Sequence, residues 1–521
     1  MKIGIVTNLY PPYVRGGAEH VVVRTVEALT EMEQEVFVVS TQPRNVAGFG
    51  LSIDERTMER IYRFFPMNLY YILRDHYYPW IIRFFWHSID TFLFNGAWML
   101  NRIMAREEPD IMITHNLKGM GFAIPRVIAK KKIPHVHVVH DLQLIYPSGL
   151  IFFGKEKLSL VIRPFYWLYQ IICKYKFGSP DVVIFPSTYL KNEYISRGFF
   201  PRSDVIVMPN PAPRFTDVSR TEHNDNKLRL LFVGQLEHHK GIDFLLEAIK
   251  DQPDIQLIIA GEGTLIKKVK KYADENDRIV YLGYIAVDQL VNCFALSDAL
   301  IVPSLCYENS PTVIYESFKA GVPVLASDIG GVGELVENGK NGFLFTPGDK
   351  ADLLRVIDEL RCKKDKFVPE EIKKTIAPYE LAVYGEALLK KLFAVANVSE
   401  EPPKKVTSGE DYLGKEVTVT VNRPIGSLHP IYNFRFTQNF GHVPDTLAGD
   451  HYPVDAFVLG VDRPISHFTG KCIGFVRRLE ENNDRLIVVP EGRMYTAEEI
   501  RAAVEFEEQY TPYTIILADH D

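Results

Sequence analysis

Short apolar runs alternate with amphipathic stretches along the first two hundred residues. The runs are Ile3-Gly4-Ile5-Val6, Val36-Phe37-Val38-Val39, Ile111-Met112-Ile113, His135-Val136-His137-Val138-Val139 and Val182-Val183-Ile184-Phe185. They are mostly continuous apolar or β-branched segments, as expected of strands covered on both faces. Helical patterns separate them, the first near residues 19–30. This is the βαβ rhythm of a doubly wound parallel sheet. It restarts after Pro209-Asn210-Pro211 and the polar residues 219–226, predicting strands at 228–233, 255–260, 279–282, 299–302 and 323–326. The chain is thus read as α/β, with two tandem Rossmann-like domains over residues 1–200 and 201–396. Such a pair implies a crevice at the carboxyl ends of the strands, where open α/β sheets bind ligands.

The grammar then changes. Residues 397–412, opening NVSEEPPKKVTSGE, are polar and proline-containing and read as a linker. Over 413–521, Val417-Thr418-Val419-Thr420-Val421 and Leu486-Ile487-Val488-Val489 predict strands amid loops, with a helix near 497–510. This is the pattern of a small β-rich α+β domain.

Composition narrows the function classes. With 46% hydrophobic and 24% charged residues the chain is ordinary globular material. A formal net charge of -7 argues against broad nucleic-acid binding. None of the cysteines (173, 293, 306, 362, 472) sits in a CxxC pair or at metal-ligand spacing, which fits a reducing compartment. The first residues read as a strand and not as a signal peptide, and no apolar run is long enough to span a bilayer. A cytoplasmic protein is expected.

The candidate chemistry lies at the strand ends. Ser310 suits an N-cap and Pro311 a first helical position, so a helix is expected there, its free N–H groups from Thr312 onward favouring an anion. Glu308 precedes the cap and Glu316 lies nearly two turns in. One carboxylate can address a sugar and the other ribose hydroxyls; the alternative is a plain capped helix with solvated acids. Gly234-Gln235-Leu236-Glu237-His238-His239-Lys240-Gly241 follows the first strand of the second domain, and Lys240 can neutralise a diphosphate oxygen. Gly16-Gly17-Ala18-Glu19 follows the first strand of the chain, where paired glycines permit a turn beside a bulky ligand. No GxGxxG stands at either junction, against a dinucleotide-binding oxidoreductase.

In this order, Gly16–Glu19, His140-Asp141, Gly234–Gly241, Gly261-Glu262-Gly263, the Glu308/Glu316 pair and Gly330-Gly331-Val332-Gly333-Glu334 resemble the GT-B retaining glycosyltransferases of family 4, from Met1 to about Ala394. The resemblance implies that Glu316 holds a ribose, Lys240 a diphosphate, and that Glu308 and His140 flank the donor sugar. Gly16, Gly17, Gly234, Gln235, Ser310, Pro311 and Thr312 complete the donor site, with His140, Glu308 and Lys240 as the catalytic set. It also implies retention at the anomeric carbon, a last helix near 379–393 crossing back to the first domain, and no cofactor for transfer. One departure is plain: Gln235 stands where the family usually has arginine, whose bidentate fork on phosphate is lost.

Two further segments need a reading. Residues 60–104 crowd aromatics among arginines, as does Arg163-Pro164-Phe165-Tyr166-Trp167-Leu168-Tyr169, against a chain average of 12% aromatic. They suit a membrane interface or lipid-linked acceptor, or an aromatic core between helices. Residues 413–521 resemble the family I soluble inorganic pyrophosphatases through Gly449–Leu459, Gly470-Lys471 and Asp484–Pro490. That resemblance implies a Mg²⁺ site of Asp450, Asp455, Asp484 and one of Glu480 and Glu481. Tyr452 stands where that family has an acid, and Phe440 replaces a tyrosine, so a structural or regulatory module is expected ahead of a second activity. The whole chain is read as a hexosyltransferase-type enzyme of cell-surface polysaccharide or glycolipid synthesis, moving a sugar from a nucleotide-sugar donor to a glycan or lipid-linked acceptor. The alternatives are an epimerase or phosphorylase of the same fold, a non-catalytic nucleotide-sugar scaffold, or a glycosyltransferase fused to an active pyrophosphatase.

Overall fold

A computed structural model describes the chain apart from residues 48–50, 55–59, 157–162, 215–224, 226, 397–406, 428–434, 445, 447, 449–452, 479–483, 509–511 and 519–521, and gives only the backbone of 47, 76, 287, 288, 365 and 507. Two compact units are present, Met1–Thr30 with Gln34–Val398, and Ser399–Asp521 with Glu31–Glu33.

The first unit holds two sheets. One is built of β1 (Lys2–Val6), β2 (Glu35–Thr41), β3 (Leu51–Asp54), β4 (Arg60–Phe64), β5 (Ile111–Thr114), β6 (His135–Val138), β7 (Val182–Phe185) and β8 (Asp204–Val207), in the order β3-β4-β2-β1-β5-β6-β7-β8. Only the β3–β4 pair is antiparallel. The other joins β9 (Leu228–Val233), β10 (Ile255–Ala260), β11 (Ile279–Gly283), β12 (Ala299–Val302), β13 (Val324–Ser327) and β14 (Gly342–Phe345), all parallel, in the order β11-β10-β9-β12-β13-β14. Strand order reverses between β1 and β5 in the first sheet and between β9 and β12 in the second. Such switch points open a crevice at the carboxyl ends. The two sheets make the pair of Rossmann-like domains of a GT-B fold. Strand β8 belongs to the first sheet, so that domain runs past residue 200.

The strands expected from apolar runs are present, and their cores are covered on both faces: all of β5, β6, β7, β12 and β13 is buried; β3, β4, β8 and β14 lie outside the expected runs. One face of the first sheet is closed from far along the chain. The helix Leu381–Ala396 sets Tyr384, Leu388 and Leu392, one per turn, into the same cluster as Ile3, Ile5, Val22, Val26 and Leu29. Burying such a side chain contributes about 1.5–3 kcal/mol, so this crossing helix is integral to the first domain.

The second unit is a closed barrel. Strands β15 (Glu416–Arg423), β16 (Asn439–His442), β17 (Asp455–Val458), β18 (His467–Arg478), β19 (Asp484–Val489) and β20 (Tyr513–Leu517) run in the order β15-β16-β17-β19-β18-β20, and β15 also pairs with β18. That pairing closes five strands and leaves β20 appended. Inside lie Val419, Ala456, Val458, Phe475 and Val488; outside, Phe457, Ile487 and Val489 pack with Ile500 and Val504 of the helix Ala497–Glu508. Glu508 at its end is fully buried and accepts hydrogen bonds from Arg478 at 2.7 Å and Arg485 at 2.6 Å.

Candidate active site

Between the two Rossmann-like domains lies a cavity of about 750 Å³ lined by loops that leave the carboxyl ends of β1, β6, β9 and β12. Every residue expected at the crevice reaches its wall: Gly16, Gly17, His140, Gly234, Gln235, Lys240, Glu308, Ser310, Pro311, Thr312 and Glu316.

The loop after β12 carries Glu308. Its Oε1 accepts from Lys240 Nζ at 2.6 Å and from Ser304 Oγ at 2.8 Å. Burial opposes charge on both partners, and pairing outweighs it: the Glu308 carboxyl lies below its ordinary pKa and the Lys240 ammonium above. Both are therefore ionised at neutral pH. The Gly330-Gly331 pair backs this loop. A Cβ on Gly330, at φ +65, would stand 2.0 Å from the Glu308 carbonyl oxygen, and the Gly331 N–H donates to that oxygen at 2.8 Å. Only glycines let the two segments approach so closely.

The helix after this loop spans Thr312–Lys319, one residue later than expected. Pro311, in an extended conformation, holds the capping position, and no side chain caps the helix. Ser310 Oγ instead lies 2.6 Å from the Tyr315 hydroxyl, turned away from the first-turn N–H groups. The Ile314 N–H donates to the Pro311 carbonyl at 3.1 Å, and those of Thr312 and Val313 are left to the crevice, which favours an anion there.

Facing it across the crevice is the helix Gly17–Glu31. A Cβ on Gly17 would meet Thr312 Oγ1 at 2.9 Å. The steric demand on Gly17 is thus the approach of two helix starts from different domains, in addition to any ligand. Arg24, two turns in, donates to Glu316 Oε1 at 3.0 Å and to the Pro211 carbonyl at 3.2 Å. Both side chains are buried. Glu316, expected to be free for a ribose, is therefore held across the domains through one oxygen. Gln235 donates from Nε2 to the Arg15 carbonyl at 3.0 Å, and Arg15 itself lines the cavity.

His140 closes the first-domain side. Its Nε2 lies 2.9 Å from His115 Nδ1, and its carbonyl accepts from Asn309 Nδ2 at 2.7 Å. Burial lowers its pKa to about 4, so the imidazole is neutral at physiological pH. The domains are also latched outside the cavity. Glu334, last residue of the Gly-Gly-Val-Gly-Glu motif, accepts from the Thr188 and Tyr189 N–H groups at 2.8 Å each, capping the helix Thr188–Ile195 of the other domain. Tyr189 and Tyr307 stack beside it with centroids 5.5 Å apart.

Arg24, Arg15, His115, Asn309 and Glu334 were not picked out from sequence as contact-making residues. Only Arg24 carried a usable signal: Gly17, His20 and Arg24 fall on one helical face directly after a glycine turn.

In the barrel unit, Asp484 is occupied. Arg477 donates to it from Nε at 3.1 Å and Nη2 at 3.0 Å, and the Gly409 N–H at 2.8 Å. Asp455 lies 3.8 Å from Arg485 Nε. Asp450, Glu480 and Tyr452 lie outside the described residues. Among the described residues no group of three potential ligands is placed to hold a metal ion.

Residues 15–213 match the family model for Glycosyltransferase Family 4, and residues 214–371 the model for Glycosyl transferases group 1. The chain is 28% identical over 335 residues to an uncharacterized 42.6 kDa protein in the cps region of Klebsiella pneumoniae, covering 64% of this chain and 87% of that protein. It is 28% identical over 288 residues to an uncharacterized glycosyltransferase of Methanocaldococcus jannaschii, covering 55% of this chain and 73% of the relative. In fold it is similar to sucrose-phosphate synthase of Thermosynechococcus elongatus, with a TM-score of 0.58 at 18% identity over 75% of this chain and 99% of that one. Anabaena HepE in complex with UDP superposes with a TM-score of 0.53 at 19% identity, over 76% of this chain and all of that one (100%).

Proposed function

Because residues 15–371 belong to the group 1, family 4 glycosyltransferases, we propose that the crevice moves a sugar from a nucleoside-diphosphate sugar to a glycan or lipid-linked acceptor, with retention at the anomeric carbon. The observation that carries this reading is the convergence, in one cavity of about 750 Å³, of the Lys240–Glu308 pair, Glu316 and the uncapped start of the helix Thr312–Lys319. The complex of HepE with UDP supports the donor class. The place of the Klebsiella relative in a cps region supports polysaccharide or glycolipid synthesis.

The chemistry is cleavage of the bond from the anomeric carbon to the diphosphate oxygen. Positive charge develops on the sugar ring and negative charge on the departing diphosphate. Lys240 and the N–H groups of Thr312 and Val313 stabilise that anion, and they are already oriented before the donor arrives. Glu308, ionised and facing the same space, favours the cationic ring and keeps Lys240 protonated. The neutral His140 imidazole can hydrogen-bond a sugar hydroxyl without repelling that cation. Glu316 retains Oε2 for ribose hydroxyls, its other oxygen being fixed by Arg24. The acceptor hydroxyl attacks on the face the diphosphate leaves, and its proton passes to the departing phosphate oxygen.

The barrel unit is assigned a structural or regulatory role. The bidentate hold of Arg477 on Asp484 supports this over a magnesium site. The test of the main reading is transfer by the purified full-length chain from a panel of UDP-, GDP- and ADP-sugars. Lys240→Ala should lower turnover about 10²–10³-fold while the fold persists; wild-type turnover in that variant would overturn the assignment.

A further inference from the structure

Two helices of the first domain are inside out. The helix Trp80–Phe92 is mostly apolar yet buries only Trp86, Asp90 and Thr91 among its residues. The helix Arg163–Phe177 buries only the narrow stripe Tyr169, Cys173 and Phe177. A surface helix ordinarily turns its apolar stripe inward and its polar face to water. Here the outward faces carry Trp80, Phe84, Phe85, Phe165, Trp167 and Leu168, with Trp80 75% and Trp167 64% exposed.

The two faces are continuous. Phe84 and Phe165 approach with ring centroids 5.8 Å apart, and Lys176 of the second helix lies 4.5 Å from the Phe92 ring of the first. Those six side chains alone expose on the order of 600 Å² of apolar surface, at or above the largest patch on a typical monomer. The charge that the two helices bring to it has one sign. They contribute Arg83, Arg163 and Lys176, Lys174 being turned to the Arg197 carbonyl, and their single acid, Asp90, is buried with the Gly119 N–H on its carboxylate. Arg83 also pairs with Asp75, which is itself buried.

We propose that this face docks the protein on an anionic lipid surface. Tryptophan rings and basic side chains around an apolar face are the composition that partitions into the headgroup layer, and cations beside it are drawn to acidic lipids. No helix among the described residues is long and apolar enough to cross a membrane, so the attachment is lateral. The inference rests on the proposed glycosyltransferase reading only for its purpose, which is to hold the crevice at the surface where a lipid-linked acceptor lies. Docking itself needs no donor.

The test is co-sedimentation of the full-length chain with vesicles of phosphatidylcholine alone and of phosphatidylcholine mixed with phosphatidylglycerol, with tryptophan fluorescence as a second readout. The chain should sediment with the mixed vesicles and not the neutral ones, with a blue shift, and be partly released by salt. Trp80→Ser with Trp167→Ser should lower partitioning about tenfold or more with circular dichroism unchanged, since both rings face solvent. Three results would overturn the proposal: no binding to either vesicle, equal binding by the double variant, or a wild-type dimer that the double variant abolishes while vesicles bind neither. Donor turnover onto a soluble glycan, measured on the same double variant, reports separately on the crevice. If the wild-type chain transfers but binds neither vesicle, the docking proposal alone falls; if transfer is absent in both proteins while the wild-type chain docks, the glycosyltransferase reading alone falls.

Discussion

Acidification toward pH 5 should destabilise the first unit through its buried histidines. Burial lowers His87 and His135 to about 3 and His140 to about 4. In the unfolded chain each returns to about 6.5. A depressed histidine leaves stability intact above the unfolded pKa and removes it as pH falls toward the folded one. Between pH 7.5 and 5 the unfolded state takes up a proton at each of these three that the folded state refuses, at about 2 kcal/mol each; His239, lowered to about 4, and His115 and His137, lowered by the same burial, act in the same direction. Asp90 opposes this. Burial raises it to about 7, so the folded state binds its proton first and regains about 2.5 kcal/mol over the same range. From these four groups alone the loss is about 3–4 kcal/mol, a large part of a typical domain's stability. Glu107, held at about 2, does not enter this window. The assay is thermal unfolding followed from pH 7.5 to 5, with an expected fall in Tm of about 5–10 °C for the first unit. His135 bonds Thr114 Oγ1 through Nε2 at 2.8 Å, so His135→Gln keeps a hydrogen-bonding group and removes the titration. It should flatten the pH slope by about 2 kcal/mol. An unchanged slope in that variant, or a wild-type Tm level across the range, would refute the reasoning.

Three other outcomes are expected. Lys240→Ala should lower kcat by about 10²–10³-fold, as loss of one transition-state contact does, whereas Glu316→Gln should mainly raise the KM for donor; steady-state kinetics separates them, and equal effects on both parameters in both variants would break the assignment. Glu334→Gln weakens two charge-assisted hydrogen bonds between domains, at about 1–2 kcal/mol, and should enlarge the donor-free radius of gyration in small-angle scattering; an unchanged profile would remove the latch. Phosphate release from pyrophosphate with Mg²⁺ should be slow or absent in the full chain and rise in Tyr452→Asp, which restores a carboxylate beside Asp450 and Asp455 in sequence; brisk wild-type hydrolysis would make this a fusion of two activities.

Much of this was legible before any coordinates. Apolar-rich runs match β9, β10 and β12 to the residue, because burial on both faces confines polar side chains to Arg229 and Gln256 near the strand starts. Strands β4 and β8 were missed for opposite reasons. Arg60–Phe64 places arginines within its pattern, and Asp204–Val207 is an edge strand with little burial to mark it. The aromatic residues after β4 divide between two roles left open by composition. Tyr70, Tyr71 and Trp86 form a buried cluster, while Trp80 and Phe85 face outward. Motifs led to Lys240, Glu308 and Glu316 because each lies beside a turn glycine or a helix start. They could not reveal Arg24 on Glu316 or Glu334 on Thr188, since those partners are 292 and 146 residues apart. Ser310 was misread as a cap because Pro311, an equally good opener, stands next to it and the Tyr315 hydroxyl competes for its side chain.

The helix Leu381–Ala396 sets the order in which the chain can be finished during synthesis. Ile3, Val22 and Leu29 emerge from the ribosome early, but the side chains that cover them, Tyr384, Leu388 and Leu392, follow more than 350 residues later. At roughly 5–20 residues per second, that face of the nascent first domain waits on the order of 20–70 s for its cover. Through that interval it presents apolar surface to every neighbouring chain. A stop codon just before Leu381 would make the wait permanent, so a truncation retaining both Rossmann-like sheets and every crevice residue should still depend on chaperones to remain in solution.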